Sequence, residues 1–396
     1  MKVLLNDGMK QEGKRLFEDT GIVVEDKHRD LDTLIGEIPE FDALTVRSKT
    51  KVTRDVIESG ARGKLKIIGR AGVGYDNIDL IAASENGILV KFAPHGNTNS
   101  TAEHALALMF AVARNVTQSN YHLRNGVWLK KPFEGTELSG KTLGIIGCGR
   151  IGQRLAELTG GFMKVLGYDP DIDSVKANFP TSRIDYIIKE DVLKSSDFIS
   201  IHASKGLVLD FHEFNLMKPT AYVINVARGA CVCDEALYDA LTKGKIAGAG
   251  LDVHSKEPKN EGDTFGTKLK DLENCVLTPH LGASTREAQI KTSMEMARVV
   301  IDYLEQGDFT NAVNVGQTIE AEGRQVYPVY ICHKDAPGVF GKIDNVFGKR
   351  GVNIRENKSR SIGDGNAMTV YLVQQEIGKD VVESLRGLSD IQSVRI

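Results

Sequence analysis

The chain has 396 residues, 41% of them hydrophobic and 26% charged, which is an ordinary composition for a globular protein of two or three domains. Its 50 lysine and arginine residues nearly balance 53 aspartate and glutamate residues and give a formal net charge of -3. This balance argues against a general attraction to nucleic acid or to an anionic membrane, so neither partner is expected.

The sequence carries no targeting or metal-binding pattern. An acidic residue appears already at Asp7, which is not typical of a signal peptide, and no apolar run approaches the roughly twenty residues of a membrane span. We therefore expect a cytoplasmic protein. The odd number of cysteines, most of them in apolar runs, predicts no disulfide framework. Cys231 and Cys233 lack the C-x-x-C spacing of a metal or redox pair, so no metal is expected.

Apolar runs alternate with helical stretches over the first hundred residues, which predicts an α/β unit with a parallel sheet. The expected strands are Val3–Leu5, Ala43–Val46, Leu65–Ile68 and Ile88–Phe92, with helices such as Lys10–Asp19 and Arg54–Ser59 between them. A long apolar helix is then expected from about Ser100 to Asn115, capped by Ser100 or Thr101. A helix of that kind fits a join between two domains.

A second α/β series begins near Lys141, and its spacing suits about six parallel strands, enough for a dinucleotide-binding sheet. The expected strands are Thr142–Gly147, Val165–Tyr168, Phe198–Ile201, Val223–Val226, Ala249–Val253 and Val276–Thr278. A helix from Thr285 to about Glu305 follows and is expected to return to the first unit, which makes that domain discontinuous.

Polar, Gly-containing sequence at Gly316–Arg324 predicts a linker. The remaining residues predict a ferredoxin-like βαββαβ module. Its expected elements are Val326–Cys332, Pro337–Lys349, Ser359–Ser361, Met368–Val373, Lys379–Arg386 and Ile391–Ile396. We therefore expect an α/β protein with two doubly wound parallel-sheet domains and this module. The expected bounds are 1–98 with 282–315, 99–281, and 324–396.

The strongest local motif is a G-x-G-x-x-G pattern formed by Gly147, Gly149 and Gly152. It follows an apolar strand and opens a predicted helix, which is the context of a dinucleotide-binding turn. The first glycine permits a tight turn, the second permits close approach to a pyrophosphate, and the third permits close helix packing. The helix N-terminus, with Arg150 and Ile151, offers N–H groups to phosphates.

Asp169 follows the next predicted strand at about the distance expected for a carboxylate that binds ribose hydroxyls. A carboxylate there repels a 2′-phosphate, so the sequence favours NAD over NADP. The alternatives are a Gly-rich turn without a nucleotide and, for Asp169 alone, a surface turn residue.

Three later strand ends carry Arg228, Glu257 and His280. Because the carboxyl ends of parallel strands meet at one edge of a sheet, these side chains can converge there. Oxidation of an alcohol requires a base, for which His280 is suited, while Glu257 can orient its imidazole. Arg228 can bind a substrate carboxylate with two hydrogen bonds.

Each member of this set has an alternative. His254, His95 and His202 compete with His280 as the base. Glu257 precedes a proline and suits a turn, and Arg228 suits a surface ion pair.

These segments resemble the D-isomer-specific 2-hydroxyacid dehydrogenases. The resemblance is carried by the Gly-rich motif together with Arg70–Asp79, Asn225–Gly229, Asp252–Pro258 and Thr278–Ser284. It implies NAD-dependent oxidation of a 2-hydroxy acid, with the roles given above for the three later residues. It further implies that Ala227 and Asp252 lie at the cofactor, with Asp252 holding the nicotinamide carboxamide. The loop His202–Gly206 departs from the family pattern, in which a Pro and a Thr are usual.

Within the family, the chain is most similar to members that act on 3-phosphoglycerate. Arg47 and Arg70 are candidates for binding the phosphate. The other candidate substrate ligands are Ser48, Gly72, Val73, Gly74, Asn97 and Arg228. The alternative for Arg47 is a solvated turn.

The C-terminal segments His333–Val339 and Gly351–Ile354 resemble an ACT domain, a module that binds small effectors between paired copies. The resemblance implies L-serine as an effector, with His333, Asp335 and Asn353 at the matching positions, although Asn is common where this chain has Asp335. It also implies a homo-oligomer, for which a tetramer fits, with Trp128 packing between subunits. The alternative is a module used only for oligomerisation.

Two other functions remain open. One is a glyoxylate or hydroxypyruvate reductase of the same family, which generally lacks an ACT module. The other is a non-catalytic interaction protein that senses NADH, like the corepressors that resemble this family.

Overall fold

The computed structural model describes residues 1–86, 88–258, 262–306, 308, 310–314, 327–363 and 365–396. The chain divides into two compact units. Unit 1 contains Met1–Gly96 and Gln289–Ile396, and unit 2 contains Asn97–Ala288. The linker expected at Gly316–Arg324 lies outside the described residues. The division into three domains stays a prediction.

Unit 1 begins with a five-stranded parallel sheet in the order β2-β1-β3-β4-β5. The strands are β1 (Lys2–Leu5), β2 (Val23–Glu25), β3 (Ala43–Val46), β4 (Ile67–Arg70) and β5 (Leu89–Phe92). The helices between them are α1 (Gln11–Asp19), α2 (Leu31–Glu37), α3 (Arg54–Arg62) and α4 (Leu80–Glu85). The apolar runs predicted every strand of this sheet except β2, a short and partly exposed edge strand whose apolar run Ile22–Val24 was not assigned to a strand.

Unit 2 is built on a seven-stranded parallel sheet in the order β12-β11-β10-β9-β6-β7-β8. Its strands are β6 (Thr142–Ile146), β7 (Lys164–Tyr168), β8 (Asp185–Tyr186), β9 (Phe198–Ile201), β10 (Tyr222–Asn225), β11 (Gly248–Leu251) and β12 (Cys275–Leu277). Its helices are α5 (Thr98–Ala113), α6 (Val116–Arg124), α7 (Arg150–Thr159), α8 (Ile172–Asn178), α9 (Lys189–Ser195), α10 (Phe211–Leu216) and α11 (Asp234–Thr242). The strand order reverses between β6 and β9, which is where an open α/β sheet of this kind binds its ligand.

The start of α5 differs from the prediction. The helix begins at Thr98 after Asn97, and neither Ser100 nor Thr101 caps it. Ser100 lies inside the helix, and its Oγ donates to the carbonyl oxygen of Gly282 at 2.7 Å. The hydroxyl that suggested a local cap is therefore used in a contact distant in sequence.

A long helix, α12 (Arg286–Gln306), precedes the C-terminal module, which we define as residues 327–396. The module contains β13 (Tyr327–Lys334), α13 (Val339–Lys349), β14 (Ile354–Gly363), β15 (Asn366–Val373), α14 (Lys379–Arg386) and β16 (Ile391–Arg395). Its antiparallel sheet has the order β14-β15-β13-β16, which is the predicted ferredoxin-like arrangement. β14 is much longer than the expected strand Ser359–Ser361.

Both faces of the module's sheet are covered. Val329 and Ile331 pack with the module's own helices. Tyr330 and Cys332 alternate with them and belong to a buried cluster that includes side chains of α12. The hydroxyl of Tyr330 donates to that of Tyr303 on α12 at 2.8 Å. The module therefore packs against the rest of unit 1 through its sheet.

Candidate active site

The Gly-rich turn connects β6 to α7, as the motif predicted. Gly147 has a φ of 95°, and a Cβ there would lie 2.6 Å from the backbone nitrogen of Ala203. A Cβ at Gly152 would lie 2.5 Å from the carbonyl oxygen of Gly147. A Cβ at Gly149 would meet no atom within 4 Å. The turn is therefore tight, α7 packs closely on it, and the backbone at Gly149 is open to a ligand.

Arg150 and Ile151 form the first turn of α7, whose N-cap is Gly149. The N–H groups of a first helical turn have no acceptor within the helix and attract anions. The residues present thus fit the pyrophosphate of a dinucleotide.

Asp169 comes directly after β7, and its carboxylate is fixed by backbone donors. Oδ2 accepts the N–H of Cys148 at 2.8 Å, and Oδ1 accepts the N–H of Asp171 at 3.0 Å. Asp169 is therefore joined to the Gly-rich turn itself, which suits a group that binds the adjoining ribose.

His280 and Glu257 form a hydrogen-bonded pair in unit 2. Nδ1 of His280 lies 2.9 Å from Oε2 and 3.1 Å from Oε1 of Glu257. Because a carboxylate only accepts, Nδ1 carries the hydrogen, and Nε2 is the ring atom that can exchange a proton with a substrate. Glu257 is itself held by the N–H of His254 at 3.2 Å.

The pair shifts both pKa values. The hydrogen bond with Glu257 raises the pKa of His280, against a smaller opposing effect of burial. Burial alone would raise the pKa of Glu257, but the hydrogen bond and charge of His280 hold it below its usual value. The charge of Asp252 also raises the pKa of His280, while that of Arg228 lowers it. The charged form of His280 is thus stabilised, which suits a side chain that accepts a proton.

Arg228 lies in a loop that Asn225 holds. The side chain of Asn225 is 1% exposed, donates to the carbonyl oxygen of Arg228 at 2.9 Å and accepts the N–H of Ala227 at 3.1 Å. Nη1 of Arg228 donates to the carbonyl oxygen of Ala227 at 2.8 Å. The three residues proposed for catalysis from the sequence thus lie in loops after strands β10, β11 and β12 of one sheet: Arg228, Glu257 and His280.

Asp252 is 1% exposed and lies after β11. Its carboxylate accepts hydrogen bonds from His104, Thr278, Leu281 and Gly282. Burial alone would raise its pKa, but these bonds lower the pKa to about 2, so the group is charged. The carboxylate thus ties α5 to the loop of His280.

The competing histidines have other surroundings. His202 is partly buried, and this burial lowers its pKa to about 3, which makes it a poor base near neutral pH. Nε2 of His254 lies 2.9 Å from the carbonyl oxygen of Thr278. His95 belongs to unit 1 and pairs with Glu295 at 2.7 Å.

The candidate substrate residues of unit 1 are Arg70, the last residue of β4, and residues in the loops after β3 and β4. Arg47 and Ser48 are exposed, and Asp7 accepts the N–H of Arg47 at 2.7 Å. Arg70 folds back on its own loop, since its Nη1 donates to the carbonyl oxygen of Ala71 at 2.6 Å. The turn of residues 72–74 begins at Gly72, which has a φ of 139°.

Asn97 belongs to unit 2, where it precedes α5. Its Oδ1 is buried without a hydrogen-bond partner among the described residues.

The candidate effector residues differ in exposure. His333 is 1% exposed, with Nδ1 at 2.8 Å from the carbonyl oxygen of Lys334 and Nε2 at 2.7 Å from Oγ1 of Thr369. Asp335 and Asn353 are exposed. Only the last two therefore present side chains at the surface.

Sequence reasoning gave no role to three residues that shape the site, His104, Asn225 and Thr278, although the last two lie in segments that it singled out. Asn225 and Thr278 are polar residues at or next to strand ends, which is a signal that could have found them. His104 is a polar residue in an otherwise apolar helix, and nothing in its local sequence pointed to Asp252.

None of the helices in the described parts of the chain combines the length and apolar character needed to cross a membrane. Within the same residues, no group of His, Cys, Asp or Glu side chains is arranged to hold a metal ion. The five cysteines, all within the described residues, form no disulfide, and burial raises the pKa of Cys148 to about 12.

Known proteins resemble this chain in sequence and in fold. The family model described as D-isomer specific 2-hydroxyacid dehydrogenase, NAD binding domain, matches residues 106–282. A D-3-phosphoglycerate dehydrogenase of Archaeoglobus fulgidus is 42% identical over 323 residues, which cover 80% of this chain and 59% of that protein. A hydroxypyruvate reductase of Thermotoga maritima is 40% identical over 309 residues, which cover 76% of this chain and 98% of that protein.

The solved structure of D-2-hydroxyisocaproate dehydrogenase is 28% identical, with a TM-score of 0.69, and the alignment covers 79% of this chain and 99% of that one. The chain spans 59%, 56% and 60% of the length of the D-3-phosphoglycerate dehydrogenases from A. fulgidus, Synechocystis and Methanocaldococcus jannaschii. With the Thermotoga reductase matched almost throughout, the chain belongs to the D-isomer specific 2-hydroxyacid dehydrogenases, a family with an NAD-binding domain.

Proposed function

We propose that this chain is a D-3-phosphoglycerate dehydrogenase, which oxidises 3-phospho-D-glycerate to 3-phosphohydroxypyruvate with NAD. That reaction is the first step of the phosphorylated route to L-serine. The observation that carries the proposal is the His280–Glu257 pair, which lies in the same unit as Arg228 and the Gly-rich turn. Relatives with that name are 40–42% identical to the chain.

His280 is the acid/base residue in this proposal. Oxidation of the substrate removes a proton from the 2-hydroxyl oxygen and a hydride from the carbon that bears it. Neutral His280 takes the proton at Nε2, because Nδ1 is committed to Glu257. Arg228 binds the substrate carboxylate with two parallel hydrogen bonds. When bound, NAD supplies the nicotinamide carbon that accepts the hydride.

The cofactor residues divide by the part of NAD that they hold. The turn of Gly147, Gly149 and Gly152, with the first helical residues Arg150 and Ile151, holds the pyrophosphate. Asp169 holds the ribose hydroxyls and disfavours NADP. Ala227 and Asp252 lie at the nicotinamide end, as the family resemblance implies.

Arg47 and Arg70 bind the substrate phosphate in this proposal, because they are cationic residues at the carboxyl ends of the adjacent strands β3 and β4. Ser48, Asn97 and the N–H groups of Gly72, Val73 and Gly74 complete the substrate ligands. The unpartnered Oδ1 of Asn97 supports its inclusion, because a buried amide oxygen without a partner is costly unless a ligand supplies one.

The C-terminal module is proposed to be an ACT domain, residues 324–396, that binds L-serine and changes the rate. Its ferredoxin-like order supports this assignment. Because both ring nitrogens of His333 have partners, the exposed Asp335 and Asn353 are the more accessible ligands.

The chain is also proposed to form a homo-oligomer, for which a tetramer fits. Trp128 is 82% exposed, and Tyr121, Leu123 and Val116 nearby are 66%, 57% and 51% exposed. Several exposed apolar side chains within this short segment support a contact site there.

A hydroxypyruvate reductase is the second candidate, favoured by the match over 98% of the Thermotoga protein.

The test of the proposal measures NADH formation by absorbance with D-3-phosphoglycerate and with D-glycerate, each with and without L-serine. Turnover restricted to the phosphorylated acid supports the proposal, whereas preference for D-glycerate supports the reductase.

Arg47→Ala provides the internal test of the phosphate site. It should raise KM for D-3-phosphoglycerate by about tenfold and leave the affinity for NADH unchanged. Arg54→Ala, a change of another exposed arginine on α3, serves as the control. Tight NADH binding without turnover of any 2-hydroxy acid would favour the corepressor-like alternative.

A further inference from the structure

His104, on helix α5, lies against the residues that hold the catalytic loop. We propose that His104 is a positioning residue for His280 and acts through Asp252. The inference rests on the proposed dehydrogenase function, because it gives His280 the catalytic role.

Asp252 is bonded to the chain on both sides of His280. Its carbonyl oxygen accepts the N–H of His280 at 2.8 Å. Its Oδ1 accepts the N–H of Leu281 at 2.7 Å, and its Oδ2 accepts the N–H of Gly282 at 2.8 Å. Thr278 lies two residues before His280, and its Oγ1 donates to Oδ1 of Asp252 at 2.6 Å. One residue thus fixes the backbone from 278 to 282.

This loop needs to be held, because His280 has a φ of 56°. A non-glycine residue in the left-handed region costs free energy and persists when the surrounding structure imposes it. The bonds to Asp252 join residues that are far apart in sequence, so they depend on where Asp252 itself is placed.

His104 supplies a side-chain contact to Asp252 from a different element. Its Nε2 lies 3.1 Å from Oδ1 of Asp252 and 3.0 Å from Oγ1 of Thr278. Because Oδ1 only accepts, Nε2 carries the hydrogen. A carboxylate that is 1% exposed needs such donors to stay charged and fixed.

The same face of α5 makes a second contact with this loop. One turn before His104, Ser100 donates from Oγ to the carbonyl oxygen of Gly282 at 2.7 Å. Helix α5 therefore holds the loop through Asp252 and through Gly282. The Asp252 carboxylate accepts four hydrogen bonds, of which three fall on Oδ1, and His104 supplies one of those three.

The test compares His104→Met, which removes the donor, with His104→Gln, which keeps an N–H donor on a side chain of similar length. We expect kcat of His104→Met to fall by about tenfold and the affinity for NADH to change by less than about twofold. His104→Gln should recover most of the loss. His212→Met changes an exposed histidine on α10 of the same unit and should have no effect.

The second readout is the pKa of His280 itself, followed by NMR in 13C-histidine-labelled protein and assigned from the spectrum of His280→Asn. Groups around His280 that affect this titration include Glu257, Asp252 and Arg228. Without the contact from His104, the loop of residues 278–282 should become more mobile, and the hydrogen bond between His280 and Glu257 should weaken. Because that bond raises the pKa of His280, the pKa should fall. A purely structural role for His104 would lower stability without moving this pKa.

An unchanged His280 pKa in His104→Met, or a kcat within about twofold of the unsubstituted chain, would overturn the inference. If the unsubstituted chain turns over no 2-hydroxy acid, the proposed function fails, and the NMR titration still decides whether His104 positions His280. If His104→Met does not fold, His104→Asn, which is polar but too short to reach Asp252, takes its place with the same two readouts.

Discussion

Gly229 lies directly against the backbone of His254. A Cβ at position 229 would lie 2.0 Å from the carbonyl carbon and oxygen of His254 and 2.5 Å from the nitrogen of Ser255. The loop that carries Arg228 and the loop that leads to Glu257 meet at this point. Only glycine permits that approach, because the atoms in the way belong to the main chain.

Gly229→Ala should therefore displace one of the two loops. We expect kcat/KM to fall by about 10²-fold, because a shift of about 1 Å in a catalytic group has an effect of that size. Steady-state kinetics and thermal unfolding check this. Gly161→Ala, where a Cβ would meet no atom within 4 Å, is the matched control. Unchanged activity of Gly229→Ala would mean that the two loops can move apart freely.

Glu257→Gln should shift the pH dependence of the reaction. In the proposed mechanism, oxidation needs neutral His280, so kcat/KM should fall as pH drops below the pKa of His280. The hydrogen bond with Glu257 raises that pKa. Removing the charge lowers the pKa, and the acidic limb of the profile should move to lower pH, with kcat reduced by about 10²-fold.

The control for this prediction is Glu235→Gln, on the exposed side of α11. An acidic limb at the same pH in Glu257→Gln would assign it to another group.

Asp169→Ser should weaken the preference for NAD. The substitution removes the carboxylate that accepts the N–H of Cys148 and that repels a 2′-phosphate. We expect KM for NAD to rise by about tenfold and the ratio of kcat/KM values for NAD and NADP to fall. Asp171→Ser is the control, because serine can still cap α8 at that position. An unchanged ratio would remove Asp169 from the ribose site.

Asp308→Ala should destabilise unit 1. Lys91 on β5 is fully buried, and its Nζ donates to the carboxylate of Asp308 at 2.9 Å and to its carbonyl oxygen at 2.6 Å. Burial lowers the pKa of Lys91, against the effect of Asp308. Removing the carboxylate leaves a buried cation, so the free energy of unfolding should fall by about 3 kcal/mol, as measured in urea.

Lys91→Met should rescue Asp308→Ala in part, because the double variant has no buried charge to compensate. Lys66→Met, which breaks the ion pair between an exposed lysine and the half-buried Asp42, should change the free energy of unfolding by less than about 1 kcal/mol. A double variant no more stable than Asp308→Ala would contradict this account.

The turns and strand ends that form the site could be predicted because each depends on the residue pattern of a short segment. The turn of Gly147 and Gly152 follows from glycine spacing after an apolar run. The strand ends that carry Arg228 and His280 follow from the alternation of strands and helices, and the β13-to-β16 module follows from the same reasoning.

Contacts across the sequence could not be predicted in this way. Ser100 resembles a helix cap, and only the folded chain shows that its hydroxyl bonds Gly282. His104 and Asp252 are 148 residues apart, and no spacing rule connects them. The two-residue strand β8 was missed because so short an edge element leaves no apolar period.

The C-terminal module is not a detachable appendage. Its sheet buries Tyr330, Cys332, Val370 and Leu372 in the cluster that contains Met296 and Val300 of α12. Ending the chain at Asn314 would expose this side of α12 to water. It would also remove Tyr330, which bonds the hydroxyl of Tyr303. The truncated chain should therefore aggregate in solution, even with its catalytic residues intact. By the same reasoning, we expect a more polar surface on the equivalent of α12 in a relative that lacks the module.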